Sequence, residues 1–217
     1  MALAVGSSTR VRWWTGSVHL SASDAAERRR SIRKYTADAI PEQELRELLR
    51  LAGRAPSAWN LQPWRFVVVR DPALKDQLMA AANKQPQVGR APAVIVVYSD
   101  MDDVLAHVDE LVPSTLSTED AAAWKARLHR IFDAKTPADR AAWGNALAFI
   151  AVGWLLLIAE SRGYVTSPML GFNAEAVKQL LDLPASAVVT AVVALGRGAE
   201  EGTLAPRHAV DRVARFR

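Results

Sequence analysis

Three short segments of this 217-residue chain gather side chains that could do chemistry. The first is Arg29-Arg30-Ser31-Ile32-Arg33-Lys34-Tyr35. On a helix, Arg29 and Arg33 would be i and i+4 and project together. Paired guanidiniums make charge-assisted, fork-like bonds to phosphate, and the Ser31 hydroxyl adds a neutral contact. A solvated basic face is the commoner fate of such a run. The second is Ala55-Pro56-Ser57-Ala58-Trp59-Asn60-Leu61-Gln62-Pro63-Trp64. Pro, Ser and Asn also build bare helix-to-strand connectors. The density of Ser57, Asn60 and Gln62 between two tryptophans suits a planar heteroaromatic ring with polar edges. The third runs from Gly163 to Asn173 and includes Pro168, Met169, Leu170 and Gly171. It reads as the loop after a core helix, in which Gly171 permits close backbone approach to a ligand.

Other chemistries find little purchase. The chain has no cysteine, which excludes disulfides, thiolate metal sites and a cysteine nucleophile and fits a reducing cytoplasm. His19, His107, His129 and His208 have no ligand spacing, so no metal is expected. Neither G-x-x-x-x-G-K-[ST] nor G-x-S-x-G is present. Gly196 to Gly202 only faintly resembles a dinucleotide fingerprint and reads as a turn, with Pro206 where a helix should follow. The net charge of +4 is concentrated at residues 28–34 and in Arg207, Arg212, Arg215 and Arg217. Such clusters serve a bound phosphate as readily as a nucleic acid.

Together, in this order and spacing, the segments resemble the nitroreductase family of flavoproteins, over roughly Glu27 to Arg207. The middle motif is the most specific part. The resemblance implies an α+β fold with a small, mostly antiparallel sheet inside helical layers, forming a domain-entwined homodimer. It implies non-covalent FMN in two interfacial sites, NAD(P)H as co-substrate, and a nitroaromatic, quinone or similar acceptor. Arg29 and Arg207 would hold the phosphate, Arg30 and Ser31 the phosphate and ribityl chain, and Arg33 the pyrimidine edge. Gln87 would add a polar contact to that edge. Pro56, Ser57, Ala58 and Asn60 would come from the other subunit. Pro168, Met169, Leu170 and Gly171 would line the ring near N5.

The implied chemistry is hydride uptake at N5, with charge building toward N1 and the C2 oxygen, where a cation such as Arg33 stabilises it. The cofactor carries such a reaction, so no side-chain acid, base or nucleophile is required. Ala58, Trp59, Leu147 and Leu170 depart from common family residues and should make the pocket more apolar. A flavin-binding sensor or storage protein remains an alternative. So does a member specialised in dehalogenation, flavin destruction or enal reduction. A nucleic-acid-binding module is the remaining rival.

The elements that must position these residues follow from pattern. Residues 1–23 read as an arm outside the 24–217 domain, with no secretory signal. Asp24 can cap a helix running to about Lys34, and Pro41 opens the next, which Gly53 ends. Trp64–Val69, Ala93–Tyr98 and Ala187–Leu195 read as strands, with a helix opening at Asp71-Pro72. Residues 100–135, with His107, Trp124, His129 and Phe132, read as a helical excursion or lid rather than core, which the resemblance would place over the ring. The span from about Ala138 to Arg162 is apolar nearly all round, predicting a central core helix too short in its apolar run to cross a membrane. Ala174–Leu181 completes the set as a short helix.

Overall fold

The computed structural model describes residues 19–217, so most of the expected 1–23 arm lies outside the described residues. The chain forms α1 (Ala22–Arg28), α2 (Glu42–Ala52), β1 (Trp64–Val69), α3 (Pro72–Ala81), α4 (Pro86–Arg90), β2 (Ala93–Ser99), α5 (Met101–Ala106), α6 (Thr118–Asp133), α7 (Pro137–Ser161), β3 (Val165–Met169), α8 (Ala174–Leu180), β4 (Val188–Gly196) and α9 (Val210–Val213). Short 3₁₀ turns occupy Ala58–Asn60 and Val108–Leu111.

The four strands make one antiparallel sheet in the order β1-β2-β4-β3. Its central strands are apolar on both faces, because helices cover both. Ile95, Val97, Val193 and Leu195 face Leu45 and Leu48 of α2 and Ala148, Ala151 and Leu155 of α7. The alternate residues Val94, Val96, Val192 and Ala194 face Leu78, Val88 and Val177 of α3, α4 and α8. The period of two thus divides each strand between two cores.

A third core joins Leu61 to Met101, Val104, Val108, Leu128 and Phe132. The 100–135 excursion therefore has its own apolar footing, shared with the loop before β1. Phe132 is fully buried there, its ring 5.3 Å from that of Trp143.

Three expectations need correction. Ser21, not Asp24, is the cap of α1: its Oγ accepts the Asp24 N–H at 3.1 Å and donates to the Asp24 carboxylate at 2.6 Å. The helix ends at Arg28 rather than Lys34, so Arg29 and Arg33 do not share a helical face. Residues 29–35 leave the helix because Ile32 is buried and its N–H donates to the Thr166 carbonyl at 3.1 Å. The third correction is that 165–169 is a strand, not part of a loop reaching Phe172.

Helix α7 is central on one side only. Ala148, Ala151, Leu155 and Ala159 are buried, whereas Trp143, Phe149, Ile150 and Trp154 are each 37–40% exposed. Trp143, Ile150 and Trp154, spaced by seven and four residues, share one face of the helix as a partly exposed apolar stripe, and Phe149 lies off to its side.

Candidate cofactor site

The arginine segment is built against β3. Arg29 is the C-cap of α1, and its side chain turns inward, Nη2 donating to Ser31 Oγ at 3.3 Å. Its Nε is buried and has no partner among the described residues. Ser31 pairs with Thr166 in a parallel bridge, and the Thr166 hydroxyl, 1% exposed, is equally without a partner. Buried polar atoms are ordinarily hydrogen-bonded, so two neighbouring exceptions mark a place built for something else.

The charge there is strongly positive. Burial pushes the Arg29 guanidinium below its usual range; the Glu160 carboxyl opposes that shift, and Arg207 and Arg30 add to it. Arg207, far along the chain, is thus brought into the field of Arg29. Arg30 folds back, its Nη1 donating to the carbonyls of Glu27 at 2.5 Å and Arg29 at 2.9 Å. Arg33 is exposed, and its backbone is fixed: its N–H donates to Glu200 Oε1 at 2.9 Å, as does that of Lys34 at 3.2 Å.

The turn after β4 therefore clamps the arginine segment. At Gly202 a Cβ would lie 2.4 Å from Ile32 Cδ1, so only glycine lets the two stretches meet this closely.

At the other end of β3 a second group converges. Gln87, buried on α4, directs Nε2 to Met169 Sδ at 3.2 Å and to Gln85 Oε1 at 3.2 Å. Gln85 Nε2 donates to the Gly171 carbonyl at 2.8 Å. A Cβ on Gly171 would come within 3.4 Å of the Asn83 amide nitrogen. Pro168 is half-buried and Leu170 is 64% exposed. Thr166 and Met169 are three residues apart, about 10 Å along an extended strand. One edge strand thus has an arginine-rich cluster at one end and an amide-lined, apolar group of residues at the other.

The structure does not bring Pro56, Ser57, Ala58 and Asn60 to this edge. They precede β1, which lies at the opposite edge of the sheet. Three strand spacings separate the two edges, about 14 Å. The loop is tightly specified all the same. Ser57 Oγ accepts the Gln62 N–H at 3.0 Å, and Trp59, Asn60 and Gln62 adopt left-handed backbone with φ of 58°, 55° and 44°. Left-handed backbone in a residue as bulky as Trp59 is strained and persists only where its surroundings impose it. Here the Arg127 guanidinium lies 4.9 Å over the Trp59 ring, and Trp124 meets it edge-on at 6.4 Å.

The chain matches the Nitroreductase family over residues 26–197. It belongs to that family. A protein named NADH dehydrogenase from Thermus thermophilus is 48% identical over 198 residues, 91% of this chain and 97% of that protein. A CLA biosynthesis enone reductase from Lactiplantibacillus plantarum is 32% identical, covering 82% of this chain and 86% of its own. Among solved structures, a nitroreductase from Exiguobacterium sibiricum in complex with FMN superposes with a TM-score of 0.84 at 24% identity, over 94% of this chain and 100% of the other. For this nitroreductase-family chain, the α+β architecture expected from sequence is borne out.

Sequence reasoning missed three contributors: Thr166, Glu200 and Gln85. Thr166 lay inside the third segment but carried no distinguishing signal. Glu200 and Gln85 act on backbone atoms of other segments, which only the tertiary fold reveals.

Proposed function

We propose that the protein is a homodimeric oxidoreductase that uses FMN to pass electrons from NAD(P)H to a nitroaromatic, quinone or similar acceptor. The observation that carries the cofactor reading is the pair of buried, partnerless donors, Arg29 Nε and Thr166 Oγ1, inside a cluster of Arg29, Arg30 and Arg207. Such a cluster fits a phosphate. The enzymatic names of the Thermus and Lactiplantibacillus relatives and the FMN in the Exiguobacterium structure support the same reading.

When bound, FMN supplies the two-electron chemistry, taking hydride from the nicotinamide and passing it to the acceptor in separate half-reactions. This chain's residues do the holding. Arg29 and Arg207 bind the phosphate, with Arg30, Ser31 and Thr166 beside it. Arg33 offers a cation to the pyrimidine edge, and Gln87 and the backbone around Pro168, Met169, Leu170 and Gly171 line the ring. Pro56, Ser57, Ala58 and Asn60 serve the site of the partner subunit.

Helix α7 and the C-terminal tail favour a second chain. The exposed Trp143, Phe149, Ile150 and Trp154 of α7, together with exposed Leu204, Val210, Val213 and Phe216, are large apolar side chains that a second copy of the chain would cover. A two-fold contact along α7 covers the stripe and places two copies of the 56–60 loop in reach of two copies of β3. Trp124, whose ring meets Trp59, then borders the partner's cofactor and helps select the acceptor.

The test is direct. The purified protein should be yellow and release FMN on boiling, and NAD(P)H oxidation with a quinone or nitroaromatic should give parallel-line, ping-pong kinetics. FAD, or a colourless protein that takes up no FMN, overturns the reading. Flavin binding without acceptor-dependent NAD(P)H oxidation would favour a sensor or storage role.

A further inference from the structure

Where β4 begins, a cavity of about 420 Å³ opens between α5, α7, α8 and the strand. Its β4 wall is Val188 and Val189, whereas Thr166 of the arginine cluster pairs with Leu195. Six residues of extended strand, about 20 Å, therefore separate the two places. Met101 of α5, Ala141 of α7 and Ala187 add to the apolar lining. A volume of this size takes a small organic molecule.

Two cations line the same cavity, Arg140 near the start of α7 and Lys178 on α8, and their side chains are only 20% and 15% exposed. The Arg140 guanidinium is poorly satisfied. Its Nη1 donates to the carbonyls of Lys135 at 3.3 Å and Phe132 at 3.5 Å, both long contacts. Its Nη2 stands 3.7 Å from Asp102 Oδ1, and its Nε is buried without a partner among the described residues. Capping the end of α6 accounts for the two carbonyl contacts and for nothing else in the fork. Lys178 Nζ donates to the Ala185 carbonyl at 2.9 Å and reaches Glu175 at 3.4 Å, which leaves it a third donor. The two carboxylates of the lining sit further out, the Asp102 side chain 59% and that of Glu175 75% exposed. Water screens them more than it screens the cations, so the interior is positive and the rim negative.

We infer that this cavity binds a small carboxylate with an apolar body, such as an aromatic acid, at a site separate from the cofactor. The two oxygens of a carboxylate match the donors of a guanidinium and an ammonium. The ring covers the walls formed by Met101, Ala141 and Val189. Inorganic phosphate has no apolar part to do so, and its second charge meets Asp102 and Glu175 at the mouth. A neutral apolar ligand would seal the guanidinium away from water without pairing it, which is costly. An occupant that binds only the folded chain also stabilises it by mass action.

The experiment is methyl NMR of methionine-labelled protein titrated with benzoate. Met101 lines the cavity, whereas Met169 stands beside Gln87 in the proposed flavin site. Benzoate should move the Met101 methyl signal saturably and leave that of Met169 in place. Benzamide, of the same shape but uncharged, should bind about tenfold more weakly, the difference between a charge-assisted and a neutral hydrogen bond. Arg140→Gln and Lys178→Gln should each weaken benzoate by about tenfold or more and leave FMN uptake unchanged. Lys178→Gln spares the contacts at the end of α6, so it tests the site even if Arg140→Gln melts early. The inference is overturned if benzoate moves no methionine signal or only that of Met169. It is equally overturned if benzamide binds as well, or if both variants bind benzoate as wild type does. None of these outcomes bears on the cofactor reading, which stands or falls on FMN binding.

Discussion

Ser31 and Thr166 lie side by side across a single parallel bridge, with the Ile32 N–H donating to the Thr166 carbonyl at 3.1 Å. This contact joins the segment after α1 to the free edge of β3. It packs the basic run against the edge of the sheet, where Arg29 Nε and the Thr166 hydroxyl are buried without a partner.

Thr166→Val tests what that hydroxyl is for. The two side chains have the same shape, so the substitution removes a buried polar atom without opening a cavity. If the hydroxyl serves the cofactor, FMN affinity should fall by roughly three- to tenfold, the net worth of one hydrogen bond. The cofactor-free protein should melt no lower than wild type, since an unpartnered hydroxyl costs stability. Unchanged FMN affinity in a titration followed by flavin fluorescence would show that Thr166 faces something else.

Arg33 is exposed in the chain, and its position depends on Glu200, which accepts its backbone N–H at 2.9 Å. Arg33→Ala should lower the reduction potential of bound flavin and slow the reductive half-reaction on the order of 10²-fold, as expected when one electrostatic donor to developing charge is lost. FMN itself should remain bound through Arg29 and Arg207. Potentiometry and stopped-flow reduction by NAD(P)H measure the two effects, and no change in either removes Arg33 from the site.

Gly196, at the end of β4, bears on stability rather than chemistry. A Cβ there would lie 2.6 Å from Pro92 Cδ and 2.8 Å from Tyr35 Cδ1, and neither ring can swing aside. Gly196→Ala should therefore destabilise by about 1–3 kcal/mol through overpacking. A thermal melt within a degree of wild type would show that the Tyr35 and Pro92 contact yields more easily than its geometry suggests.

How much of this was legible in the sequence depended on what fixes each element. The β1 strand was readable to the residue, β2, β4 and α7 to within about two, and the start of α3 from its cap, because long apolar runs and caps such as Asp71 are local signals. The β3 strand was not. Five residues containing Thr166, Ser167 and Pro168 carry no alternation, and proline is tolerated there because β3 is an edge strand. The same pairing stopped α1 early: Ile32 gains burial and a ladder bond to Thr166, which outweigh the helical promise of the basic run. The arginines were therefore found for a geometry they do not adopt. Their convergence with Arg207, and the reach of Glu200 and Gln85 to other segments, are tertiary facts without a local trace.

The separation of the 56–60 loop from β3 leads to the sharpest test. Within one chain the two stand at opposite edges of the sheet, and the proposed dimer would bring them to one cofactor from two subunits. In a two-fold dimer each site then takes Arg29 from one subunit and Ser57 and Asn60 from the other. Consider two crippled variants, Arg29→Ala and the double change Ser57→Ala with Asn60→Ala, each poor at binding FMN as a homodimer. In a mixed dimer, one site receives both lesions and the other receives neither. The intact site should bind FMN with wild-type affinity, at about one equivalent per dimer, and support about half of the wild-type turnover. Co-expression with two different tags isolates the mixed species, and FMN titration counts its sites. Should the mixed dimer stay folded and associated yet recover no site, both groups must serve flavins held within their own chains. The division of the site between subunits would then be wrong, even if FMN still binds to wild type.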